Sequence, residues 1–157
     1  MRRAWLALGG LALACGSSNP EVELAVSASG GLELSSFVRL HVLVRGCDEK
    51  ALAYSGDFLA GESTDEPITV AIRPGLLFYA WVQGWEACDE ACILPKHLAV
   101  PGDCVCFEES ARIKQKMTSE GCTGWTFHDS GALTLNVAVG PIIAGACPPP
   151  ISACIGP

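Results

Sequence analysis

The feature that most narrows what this chain can fold into is its cysteine content. Nine cysteines fall in 157 residues. Setting Cys15 aside leaves Cys47, Cys88, Cys92, Cys104, Cys106, Cys122, Cys147 and Cys154, an even set that can pair completely. Such density belongs to an oxidising compartment, where disulfides replace part of the core a small domain cannot build. On the order of a hundred connectivities are open to eight cysteines, and two local features restrict them. Cys104 and Cys106 are separated by one residue, so on a strand both side chains share a face and bridge to different partners. Cys88 and Cys92 bracket Asp89-Glu90-Ala91 and are natural partners for that pair or for each other. A zinc site built from Cys88, Cys92, Cys104 and Cys106 is the alternative, but an exported chain favours disulfides and the usual C-x2-C knuckle is absent. Neither a metal nor a cofactor is expected.

The body of the chain alternates with period 2. Val38, Leu40, Val42 and Val44 share one face of 37–45, with Arg39, His41 and Arg45 on the other. Ile68, Val70 and Ile72 repeat the pattern, as do Leu133, Leu135, Val137 and Val139. Val22, Leu24 and Val26 mark a first strand, 77–85 an aromatic one, and 123–128 a short one. Segment 108–120 carries helical charge bias but strand alternation, and the alternation is the better reading. Seventeen glycines and ten prolines punctuate these runs. The expected fold is all-β: an antiparallel immunoglobulin-like or related β-sandwich stapled by disulfides. Residues 72–79, Ile-Arg-Pro-Gly-Leu-Leu-Phe-Tyr, resemble the corner of such sandwiches, where a Pro-Gly turn feeds a strand through an aromatic residue. The sandwich is expected over 21–140, followed by an uncharged, proline-rich tail over 141–157 tied down by Cys147 and Cys154.

The N-terminus reads as an export signal. Arg2 and Arg3 precede an uncharged apolar run from Ala4 to Ala14, too short to span a bilayer as a helix. Ala12-Leu13-Ala14-Cys15 resembles the lipobox of bacterial lipoproteins, with Ala12 standing where that family usually has leucine. The resemblance implies cleavage after residue 14, lipidation of Cys15, and a tether over 15–20. It further implies anchoring by acyl chains in the bacterial envelope, and Gly16 after the cysteine fits the outer membrane of a Gram-negative cell. Acyl chains anchor a protein without any transmembrane helix.

No catalytic pattern accompanies this. His41, His97 and His128 lie outside any metal-ligand or nucleophile motif, and the glycines fall in turns rather than in a phosphate loop. A formal charge of −7 argues against nucleic acid, which requires a basic surface. The expected role is therefore non-enzymatic: structural, or binding an envelope protein or a glycan. For a glycan, Tyr79, Trp81 and Trp85 would share one strand face and offer a stacking platform. An enzyme with a site assembled from scattered residues is the remaining alternative.

Overall fold

The structure, a computed structural model, describes residues 21–47, 52–59, 66–93, 99–107 and 113–150. The leader, Cys15 and tether (1–20), His97, residues 108–112 and Cys154 lie outside the described residues.

The strands are β1 (Glu21–Ala28), β2 (Arg39–Gly46), β3 (Leu52–Leu59), β4 (Ile68–Ala71), β5 (Leu76–Ala87), β6 (Cys104–Cys106), β7 (Lys114–Cys122), β8 (Thr126–His128) and β9 (Leu133–Pro141). They are hydrogen-bonded in the order β3-β2-β5-β7-β9-β1-β4, with β6 added to β7 and β8 to β5. This is the expected all-β sandwich, nearly closed into a barrel. One pairing departs from a purely antiparallel sheet: β1 and β9 run parallel from Val22↔Leu133 to Ala28↔Val139. A parallel pair needs a long crossover. Here the intervening fold supplies it, because β1 and β9 are the first and last strands.

Strand β9 is the seam between the two layers. After following β1, it pairs antiparallel with β7 through Gly140 and Pro141. The interior lies between β1, β4 and β9 on one side and β2 and β5 on the other. Val22, Leu24, Val70, Ile72, Val137 and Val139 meet Leu40, Val42, Val44, Phe78, Ala80 and Val82 there, with Phe37 inserted at one end. Ile68, Leu133 and Leu135 pack on this cluster while half-buried, and Val38, just before β2, is also half-buried. A fully buried valine, leucine or phenylalanine contributes about 1.5–3 kcal/mol, so this interior is the main source of stability.

The Pro-Gly corner is present. Gly75 takes φ 78°, a conformation that favours glycine, and its N–H donates to the His128 carbonyl over 2.6 Å. Beyond it Phe78 enters the core, while Tyr79 points the other way against Trp125. Residues 114–122 form a strand, in keeping with their alternation. Strand β3 carries no legible period-2 signal. Its inward row is Tyr54, Gly56 and Phe58, and the Tyr54 ring lies where a side chain at Gly56 would be.

Gly84 permits a close approach of Phe37 in the core. A β-carbon there would sit 2.7–3.0 Å from the Phe37 ring. Gly84→Ala should therefore lower stability by about 1–3 kcal/mol. Adding Phe37→Leu should recover part of that loss. The urea midpoints of the two variants against the parent check this.

Candidate functional site

Strand β5 has two faces. Phe78, Ala80, Val82 and Gly84 look into the core, so Tyr79, Trp81, Gln83 and Trp85 look outward. On its neighbour β7, Gln83 lies opposite Glu120 and Trp81 opposite Cys122. The register then slips between Gly84 and Trp85, and Trp85 faces Met117. Such a bulge re-aims side chains. It turns Met117 to the side that carries Glu120 and leaves Thr118 as the extra residue.

Over this floor runs a half-open groove of about 390 Å³. Trp81, Gln83, Trp85, Met117 and Glu120 form its base. One wall is the turn Val100-Pro101-Gly102-Asp103 with Val105, and the other is the segment carrying Ile142, Ala144 and Cys147. The volume falls within the range of small-ligand pockets.

Both walls are held covalently. The Val100–Asp103 turn has proline second and glycine third, with Gly102 at φ 93° and Asp103 N–H donating to the Val100 carbonyl over 3.0 Å. These are the marks of a type II turn. Asp103 Oδ2 also accepts from Val100 N–H at 3.0 Å, and Gly102 N–H reaches the Met117 carbonyl at 2.9 Å, pinning the turn to β7. Directly after the turn, Cys104 and Cys106 bridge to Cys88 and Cys92 respectively. These are the different partners that a shared strand face requires, and they commit the four sulfurs to disulfides rather than to a thiolate zinc site. The opposite wall is tied to β7 by Cys122–Cys147. Cys47 is also disulfide-bonded, to a partner outside the described residues.

Glu120 is the chemically distinctive group. It is only 9% exposed, and its Oε2 accepts from Trp81 Nε1 at 3.0 Å. Burial pushes its carboxyl above the usual range, while the Trp81 hydrogen bond opposes that shift. Gln83, 8% exposed, lies beside it on the floor.

Of the three aromatic residues expected on one face, Trp81 and Trp85 line the groove. Tyr79 is not among its lining residues; it packs edge-on against Trp125 with centroids 5.0 Å apart. Trp85 is further buttressed by Phe107, edge-on at 5.3 Å, and by the Arg39 guanidinium, 5.0 Å from its ring centre and 3.8 Å from that of Phe107. Such cation–π contacts contribute about 0.5–2 kcal/mol each. Desolvation lowers the Arg39 pKa, partly offset by Asp57 3.7 Å away.

The two described histidines, His41 and His128, are not among the residues lining the groove. His41, on the face of β2 opposite its apolar row, has a partner: its Nδ1 is 2.6 Å from Asp57 Oδ1 across the β2–β3 pair. His128 is 2% exposed and edge-on to Phe78 in the interior. Among the described residues no three His, Cys, Asp or Glu side chains converge as metal ligands. Within the same residues no helix is long and apolar enough to cross a membrane.

Sequence reasoning passed over Glu120, Gln83 and Met117. Gln83 had a signal, since it shares a strand face with Trp81 and Trp85. Glu120 and Met117 had none, because only the bulge brings them together. No family model, curated protein or solved structure matches the chain.

The raised pKa of Glu120 has a definite sign in stability. Its folded form binds the proton more tightly than the unfolded chain does. Its contribution is complete below the ordinary glutamate pKa, about 4.3, and is lost as pH rises through the raised value. Glu120→Gln keeps an acceptor for Trp81 without the charge. The variant should melt above the parent at neutral pH, and the gap should close on acidification to about pH 4. Thermal melts across that range decide it; a lower melting temperature at neutral pH would show the carboxylate to be net stabilising.

Proposed function

We propose that the protein is a lipid-anchored bacterial envelope lipoprotein that works by binding, through the groove over β5 and β7, and not by catalysis. One observation carries the binding role. The disulfides Cys88–Cys104, Cys92–Cys106 and Cys122–Cys147 all hold groove walls, whereas the β1, β2, β4, β5 and β9 interior relies on apolar packing. A cross-link of this kind contributes about 2–4 kcal/mol. Here it also removes wall motion that a ligand would otherwise have to arrest, which is the gain from preorganisation.

The anchor rests on the basic and apolar leader and on Ala12-Leu13-Ala14-Cys15. Disulfides belong to the oxidising compartment that such a leader addresses. In this reading Cys15 is spent on lipid, so Cys47 pairs with Cys154 and no thiol is left over. A glycan remains the second reading of the ligand, favoured by the two indoles, Trp81 and Trp85, at the groove.

Full-length protein expressed in a Gram-negative host and extracted from membranes tests the anchor. Its intact mass should show acyl addition at Cys15 and four disulfides, and peptide mapping should recover Cys47 linked to Cys154. Cys15→Ala should abolish lipidation and leave all four bridges in place. A Cys15–Cys47 peptide would overturn the reading.

A further inference from the structure

The groove is selective in its charge. Its lining contains two carboxylates, Glu120 and Asp103, and no lysine, arginine or histidine. Every charged side chain in that lining is acidic. Its polar acceptors gather on one side of the floor. Glu120 and Gln83 are register partners across β5 and β7, which sets their β-carbons about 4.5–5.5 Å apart.

Both groups are more than nine-tenths buried, and both retain unused acceptor capacity. Glu120 Oε2 takes the Trp81 indole N–H, while Oε1 takes no hydrogen bond from another described residue. The Gln83 amide has no hydrogen-bond partner among the described residues, yet its polar atoms are not sealed from solvent. Most of the remaining lining is apolar, including Val100, Val105, Met117 and Ile142 with the Trp81 indole. Trp85 adds a second indole, whose buried Nε1–H has no hydrogen-bond partner among the described residues. A buried carboxylate held this way lacks a cation, and the surrounding surface suits hydrocarbon.

We propose that the groove binds a small primary ammonium compound with a short aliphatic stem, its nitrogen donating to Glu120 and Gln83 and its stem lying on Trp81 and the Val100 wall. A primary ammonium has three N–H donors and no acceptor, and so matches the Glu120 carboxylate with the Gln83 amide oxygen beside it. The indole face adds cation–π attraction. A neutral sugar would spread hydroxyl groups of mixed character over walls that are mostly aliphatic. The inference rests on the groove being the binding site, and deepens that reading by naming the ligand class.

Trp81 is the natural reporter, since its Nε1–H is bonded to the carboxylate that the ligand would engage. The test uses the oxidised, lipidated full chain in detergent. Tryptophan emission and the Trp81 indole N–H resonance are followed while n-butylammonium, 1-butanol, butyrate or methyl β-glucoside is added. Butylammonium should give a saturable shift and bind about 10-fold or more tightly than the other three. Glu120→Gln and Gln83→Leu should each weaken it by about 10-fold or more. Glu23→Gln, a carboxylate change on β1, should leave it unchanged. Undiminished butylammonium binding by Glu120→Gln would overturn the proposal. Tighter binding of the glucoside with a Trp81 shift would also overturn it while leaving the groove as a binding site. No Trp81 response to any of the four would remove both the ligand class and the groove reading.

Discussion

Strand β5 sets the constraint on which the rest depends. Its backbone is hydrogen-bonded to β2 on one side and to β7 and β8 on the other. Pleating then sends alternate residues to opposite faces. Phe78, Ala80 and Val82 cannot enter the core without placing Trp81 and Gln83 on the outer face. Core and groove are thus two sides of one strand. A slip of one residue would put indoles in the interior and valine at the groove. The buried face resists that slip through apolar packing, and so fixes the groove floor as well.

The two kinds of stabilisation are divided in space. Apolar burial holds β1, β2, β4, β5 and β9 together. The cystines hold β6 and the 142–147 segment, which have short or no ladders of their own. Strand β6 has three residues and pairs with β7 alone among the named strands. A connection this brief has little backbone pairing to keep it in place, and covalent links to Cys88 and Cys92 supply the restraint. The polar floor they enclose works against stability, since Glu120 is buried with one hydrogen bond from Trp81. Groups kept at such a cost are what a binding surface needs, because a ligand can supply the missing donor.

Much of the fold was legible in the sequence because burial imposes a period on a strand. Leu40, Val42 and Val44, Val70 and Ile72, and Val22 and Leu24 read directly as inward rows, and the structure buries each of them. Strand β3 was not legible. Gly56 leaves a gap in its inward row, and Tyr54 covers the gap, so the hydrophobic alternation is broken in the letters though not in space. The parallel pairing of β1 with β9 was equally hidden, since periodicity states which face a residue takes and not which strand lies beside it.

The candidate site divides the same way. The sequence by itself determined that Cys104 and Cys106 need separate partners and that Tyr79, Trp81 and Trp85 share a face, because both follow from the local geometry of a strand. It could not determine that Cys88 takes Cys104 and Cys92 takes Cys106, nor that Tyr79 is drawn away to Trp125. Those outcomes depend on contacts between segments. The tertiary structure alone decided that Glu120 and Met117 join the groove floor. A bulge between β5 and β7 shifts the register by one residue, and only the pairing of two distant strands can create it.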